Sequence, residues 1–327
     1  VRRAPLALAI LLAAPAAGVA FDCKKAATPS EKAICADPAA IGADAAMSAA
    51  FQASLKSAPA AQHPQIAAAQ TRWLSTRDGN CADAKGPELS ACLARESDRR
   101  RAFLMGQAEA GPGAPGTIAP WFRYEKGGHG RAEVDLELLK FVDPQSAAER
   151  IFNAAVEKLT GDIVQPVKDD PNPDSFAHDW SMRLTWASPH FISAHLSGYS
   201  DEGGAHPNTF TANVNVDFDA GHEARFEDAF TAEGAAKIFA FCLRSVRAQK
   251  KERMGADEPP MTPADLKSLT HDLEETTRQL DTWSFGADKA TIDYDPYAVG
   301  AYAEGAYDCE IPYATLRAWV KPGFPLP

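Results

Sequence analysis

Gly111-Pro112-Gly113-Ala114-Pro115-Gly116 decides how this chain is organised, because two prolines and three glycines in six residues cannot continue a helix or a regular strand. The stretch divides two halves of unlike composition. Residues 21–107 are rich in alanine, nearly balanced in charge, and hold Cys23, Cys35, Cys81 and Cys92. Residues 117–327 hold 20 Lys and Arg against 34 Asp and Glu, a net charge of −14, with Cys242 and Cys309. The expected organisation is two domains, 21–107 and 117–327, joined by a Gly/Pro linker over 108–116.

Ahead of the first half, Arg2 and Arg3, an apolar run over 6–12 and the small residues Gly18-Val19-Ala20 before Phe21 have the order of a secretory signal peptide over 1–20. The apolar run is too short for a stable membrane anchor, and Ala20-Phe21-Asp22 before Cys23 is not a lipoprotein box. The mature chain is expected to be periplasmic or secreted. An even number of cysteines in each half then implies intramolecular disulfides. Cys23 with Cys35 and Cys81 with Cys92 would close short loops, though spacing leaves three connectivities open for four cysteines. No C-x-x-C pair exists, so neither a metal nor a cofactor is expected. The acidic half would repel a phosphate backbone, which excludes nucleic acid as a partner, and would attract basic proteins.

In the first half, Thr28-Pro29-Ser30-Glu31 reads as a helix start and Asp37-Pro38 as a corner. Ala45, Met47, Ala50, Phe51 and Leu55 recur near helical spacing, and 62–74 repeats the pattern up to Trp73 and Leu74. Asp78-Gly79-Asn80 reads as a turn, and 92–104 as a last helix bearing Arg95, Arg99, Arg100 and Arg101. These elements make a small all-helical, disulfide-bridged domain. F-D-C-K-K-A-A-T-P-S-E-K-A-I-C-A-D-P over 21–38, Q-T-R-W-L-S-T-R-D-G-N-C over 70–81 and A-C-L-A-R over 91–95 together resemble the N-terminal domain of LprI-type lysozyme inhibitors. The resemblance covers the whole first domain and implies a lysozyme-directed binding role.

In the second half, Val134, Leu136 and Leu138 alternate with Glu133, Asp135 and Glu137, the pattern of a half-exposed strand over 131–141. A helix is expected from Asp143-Pro144 to Leu159, strands over 180–186, 191–199 and 209–218, helices over 232–251 and 263–280, and short strands near Phe285 and over 290–294. Strands with helices laid against them make this α+β, with a mostly antiparallel sheet. Cys242 falls in a helix and Cys309 in a terminal strand; their pairing would close a loop of about 66 residues, worth roughly 4 kcal/mol in the chain-entropy model.

Y-S-D-E-G-G-A-H-P-N over 199–208 and D-Y-D-P-Y-A-V-G-A-Y-A-E-G-A-Y-D-C-E-I-P-Y over 293–313 resemble, in this order and at this separation, the extracellular domain of RsiV-type anti-sigma factors. That resemblance implies recognition of lysozyme. Without a membrane helix or a sigma-binding segment it implies a soluble binder rather than a signalling protein. The surface it points to comprises Tyr199, Asp201, Glu202, His206, Asn208, Pro296, Tyr297 and Tyr302. Tyrosine supplies amphipathic contact area at low entropic cost, and Gly300 and Gly305 would let the second loop approach a cleft closely. Tyr307 belongs to the same loop, with core packing as its alternative.

Asp201, Glu202, His206 and His195 could be imagined as a metal or acid/base site, but Gly203-Gly204 and Pro207 mark a tight connection. Ser197 and Ser200 lack a nucleophile elbow, and no zincin or P-loop pattern occurs, so enzyme activity is not expected. The favoured expectation is an exported envelope protein that binds, and on the fuller reading inhibits, a lysozyme-like muramidase. The alternative partner is peptidoglycan or another glycan, recognised on aromatic platforms such as Trp121, Trp180, Trp186 and Trp283.

Overall fold

The computed structural model describes residues 22–128, 132–163, 176–254 and 261–327. The signal peptide expected over 1–20 lies outside them. The chain resolves into two compact units, one formed by Ser75–Arg101 with the described residues up to Ser57, the other by Ala58–Leu74 with Ala102–Pro327.

The first unit is built from helices. Thr28 starts α1 (Pro29–Ala36) with a capping box: its hydroxyl accepts from the Glu31 N–H at 3.1 Å and its own N–H donates to the Glu31 carboxylate at 2.8 Å. Asp37 accepts from the Ala39 and Ala40 N–H groups, so the Asp37-Pro38 corner is at once the end of α1 and the start of α2 (Pro38–Ser57). α3 runs His63–Asn80 and α4 Pro87–Leu104. Asp78-Gly79-Asn80, expected as a turn, is instead the last turn of α3. Arg77 sits buried there against Asp44 at 3.3 Å and Asp78 at 3.0 Å, and the backbone keeps its helical bond from Cys81 to Arg77. Burial raises the Asp44 carboxyl pKa, although Arg77 opposes the shift. Disulfides join Cys23 to Cys35 and Cys81 to Cys92. The core gathers Ile34, Ala40, Cys81, Cys92 and Leu93.

The second unit is α+β. Its larger sheet has the order β1 (Ile118–Glu125), β2 (Glu133–Phe141), β3 (Ala177–Ala187), β4 (Phe191–Asp201), β5 (Asn208–Asp217) and β6 (His222–Glu223). All neighbours are antiparallel except β2 and β3, whose crossover contains α5 (Ala147–Ile163). α5 packs Phe152 against Phe141, and its Asn153 caps both backbone groups of Phe141. The linker expected over 108–116 is hydrogen bonded along β3: Glu109 N–H donates to the Leu184 carbonyl and Gly113 N–H to that of Ala187.

β2 departs from the half-exposed strand expected of it. Asp135 and Glu137 are only 7% and 9% exposed; Arg72, from the middle of α3, forms an ion pair with Asp135 and stacks on Tyr124. Of the acidic positions of the alternation, Asp135 and Glu137 are thus covered and Glu133 is exposed.

The smaller sheet follows α6 (Phe226–Ala229), α7 (Ala232–Met254) and α8 (Pro263–Thr277), and comprises β7 (Trp283–Phe285), β8 (Lys289–Tyr294) and β9 (Tyr307–Pro312), all antiparallel; α9 (Tyr313–Leu316) follows. Cys242 of α7 is bonded to Cys309 of β9. A core of Phe191, Phe226, Phe230, Phe239, Trp283 and Phe285 lies between the sheets and α7. Polar side chains of the larger sheet stitch the smaller one in place: Asn215 donates to the carbonyls of Leu280 and Trp283 at 2.7 Å each, and Ser193 accepts from the Phe285 N–H at 3.0 Å.

Candidate functional site

Two connections meet at one end of the second unit. The first joins β4 to β5. Asp201, at the end of β4, accepts from the Gly203 N–H at 3.0 Å, which tightens the turn. Beneath it His178 is buried, with its Nδ1 2.9 Å from the Ser200 hydroxyl; burial lowers its pKa, and Glu202 opposes that shift. The second, residues 295–306, joins β8 to β9.

Asp295 fastens the second connection to the larger sheet by accepting from both the N–H (2.9 Å) and the hydroxyl (2.8 Å) of Thr211 on β5. Deeper in, His195 Nδ1 lies 2.9 Å from Asn213 Oδ1 and 3.6 Å from the Asp293 carboxylate. Burial pushes the Asp293 carboxyl up to about 6, and burial likewise raises that of Asp295 against the pull of its Thr211 donors.

At the rim, His206 and Tyr302 stack with ring centroids 3.5 Å apart. The Tyr302 hydroxyl donates to the Pro207 carbonyl at 2.7 Å, and the Tyr297 hydroxyl lies 3.4 Å from His206 Nε2. Tyr297 is 63% exposed and has φ 75°, the left-handed region, which is unusual and strained for a bulky side chain. The loop therefore presents one aromatic side chain outward from a constrained backbone.

Of the eight residues singled out by sequence, the structure gathers His206, Tyr297 and Tyr302 into one aromatic cluster. Asp201 shapes the turn beside it, and Asn208 opens β5 in register with Ser200. Tyr199 is exposed on β4. Among the described residues no hydrogen bond or ring contact ties Tyr199, Glu202 or Pro296 into the cluster. Tyr307 points inward and is buried, so of its two readings core packing holds. His195 and His206 have different partners and do not form one acid/base unit.

Sequence reading missed the residues that hold the loop from behind. Lys250, in the last turns of α7, pairs with the Glu304 carboxylate, which also accepts from the Tyr307 hydroxyl at 2.8 Å and the Ala301 N–H at 2.8 Å. Burial alone would push Glu304 up; these donors outweigh it and hold the carboxyl below its ordinary range. Arg253 Nη1 donates to the carbonyls of Glu304 (2.9 Å) and Ala306 (2.6 Å). In sequence the two cations look like a solvated basic helix end, and only their spacing of three, which puts both on one face, hinted otherwise.

The model of the lysozyme inhibitor LprI family matches residues 23–104, and that of a protein family of unknown function, DUF3298, matches residues 227–314. The second match includes Tyr297, Tyr302, Lys250, Arg253 and the Cys242–Cys309 bridge, and stops short of the β4–β5 connection. No curated protein matches the sequence. Among solved structures, a DUF3298 family member from Bacteroides fragilis is 14% identical, with 62% of this chain and 93% of that chain covered and a TM-score of 0.45. A DUF3298 family protein from Pseudomonas aeruginosa is 18% identical, with 64% and 95% covered and a TM-score of 0.42. The arrangement is thus an LprI-type region followed by a DUF3298-type region. Its three disulfides belong to an oxidising compartment, and among the described residues no helix is long and apolar enough to cross a membrane.

Proposed function

We propose that this chain is a periplasmic or secreted protein that binds and inhibits a lysozyme-like cell-wall hydrolase, with Tyr297 as the central contact. The observation that carries the proposal is the exposed Tyr297 ring on a backbone fixed at both ends of its loop. A rigid aromatic loses little entropy on binding and suits insertion into a preformed cleft. The LprI-type region supports the same partner class, and a net charge of −14 over residues 117–327 would speed encounter with a basic enzyme. Tyr199, Glu202, His206, Asn208, Pro296 and Tyr302 surround the Tyr297 contact in this reading.

A protein partner is favoured over a glycan. Trp180 and Trp283 are core residues, so two of the four candidate platforms are closed to a ligand, and Lys140 covers one face of the exposed Trp121 ring at 4.5 Å. The test is calorimetry of the oxidised protein, residues 21–327, with purified lysozymes of several classes at low and high salt, with lysis followed in parallel. Binding that weakens with salt and abolishes lysis is expected. Retained lysis in the presence of bound protein reduces the function to recognition, and absence of binding to every class overturns it.

A further inference from the structure

The loop over 295–306 is held by the end of α7, where Lys250 is buried and Arg253 is exposed. Gly305, with φ 76°, turns the chain so that the carbonyls on either side of it, those of Glu304 and Ala306, both accept from Arg253 Nη1. The Arg253 guanidinium lies over the Tyr307 ring at 4.2 Å, and Lys250 lies 4.7 Å from the same ring centroid. Gly300 crosses directly above the Lys250–Glu304 pair: a Cβ there would fall 2.6 Å from Lys250 Nζ and 2.8 Å from each Glu304 carboxylate oxygen. A side chain at position 300 would therefore have to displace the ends of the Lys250 and Glu304 side chains from their pairing. Five of these partners, Gly300, Ala301, Glu304, Gly305 and Ala306, lie in the residues that follow Tyr297, while Asp295 anchors the two that precede it.

We infer that Lys250 and Arg253 are positioning residues that fix the 295–306 loop in its binding shape before a partner arrives, and so set how long the partner stays. This rests on the proposed function for its partner but not for its geometry. Restricting the loop beforehand lowers the ordering cost of binding, and such gains are read mainly in the dissociation rate. Arg253 acts through two backbone carbonyls at once. A lysine there keeps the charge without the planar fork.

The experiment compares wild type, Arg253→Lys, Arg253→Ala and Lys250→Met by amide hydrogen exchange over residues 296–306, with melting temperature as the control for folding. Exchange in the loop should rise about tenfold or more in Arg253→Ala, as expected for losing two charge-assisted hydrogen bonds, and less in Arg253→Lys. Exchange of the central strands should stay unchanged. Against whichever lysozyme wild type binds, dissociation should accelerate in the same order, with association altered less than about twofold. Truncating Tyr297→Ala should cost less affinity in the Arg253→Ala background than in wild type, because a misplaced ring has less to lose. Unchanged loop exchange overturns the positioning role. Raised exchange with unchanged dissociation overturns its link to binding. If wild type binds no lysozyme, the proposed function fails while the exchange data still judge the positioning role.

Discussion

In the helical unit Ile34, Ala40 and Leu93 pack around the half-cystines Cys81 and Cys92, with Cys23–Cys35 closing its start. In the sheet unit Trp283, Phe285, Phe191 and Phe226 interlock around one bridge, Cys242–Cys309, and buried amides hold the sheets together. Small alanine-rich helices bury little apolar area per residue, so cross-links substitute for packing in the first unit. The second unit has packing in surplus and can hold polar and strained groups at one end. Stability and the candidate site are thus distributed unevenly, and the asymmetry is open to measurement.

The largest effect should come from the cysteines. Replacing both short-loop pairs by serine should cost about 3 kcal/mol per bridge, given loops of 12 and 11 residues, and abolish exchange protection in α1, α2 and α4. Cutting Cys242–Cys309, with its separation of 67, removes about 4 kcal/mol by the same entropy argument. The aromatic core should nonetheless keep β3, β4 and β5 protected. If the sheet unit melts as completely as the helical one, the contrast between them fails.

The part of this contrast that lies in local chemistry was legible. Thr28, Glu31 and Asp37 mark helix ends because caps act over three or four residues, and the two short disulfides join neighbours in sequence. The parts set by distant residues were not. The acidic side of β2 reads as solvent-facing until Arg72, 63 residues earlier, is seen to pair with Asp135. β1 went unforeseen because Pro120 interrupts it, which an edge strand tolerates. The two loops of the candidate site were legible as motifs, whereas their support was not: the basic end of α7 does not announce partners at Glu304, 54 residues beyond Lys250 and 51 beyond Arg253.

Acid should stabilise the site end of the sheet unit through Asp293. Its folded pKa of about 6 stands above the ordinary 3.8, so above pH 6 the fold carries a buried charge that the unfolded chain holds at no cost. As pH falls through 6 the folded state takes up the proton first, and stability rises by about 1 to 2 kcal/mol until the unfolded carboxyl titrates near pH 4. Asp295 and Asp308, also raised by burial, work in the same direction; His178, lowered by burial, works against them. Asp293→Asn isolates the term. The variant should melt higher than wild type at pH 7.5 and gain less on acidification to pH 5. Parallel melting curves for the two proteins across that range would remove Asp293 from the account.

The smallest change in stability should have the sharpest consequence for function. Tyr297 is held at φ 75°, a region a glycine enters without steric cost and a tyrosine does not. Tyr297→Gly should therefore stabilise the fold by about 1 kcal/mol through relief of backbone strain, offset in part by the added freedom of the unfolded chain. The same change deletes the exposed ring, so binding to the proposed muramidase partner should disappear while the melting temperature holds or rises. Tyr297→Phe separates the two roles of the side chain. It retains the strain and the ring face but loses the hydroxyl beside His206, and should lose no more than about tenfold in affinity. If Tyr297→Gly destabilises the protein, the strained backbone is not maintained against a cost. If it stabilises but still binds like wild type, the strain serves something other than presenting this ring, and the contact surface must lie on Tyr199 and the β4–β5 connection instead.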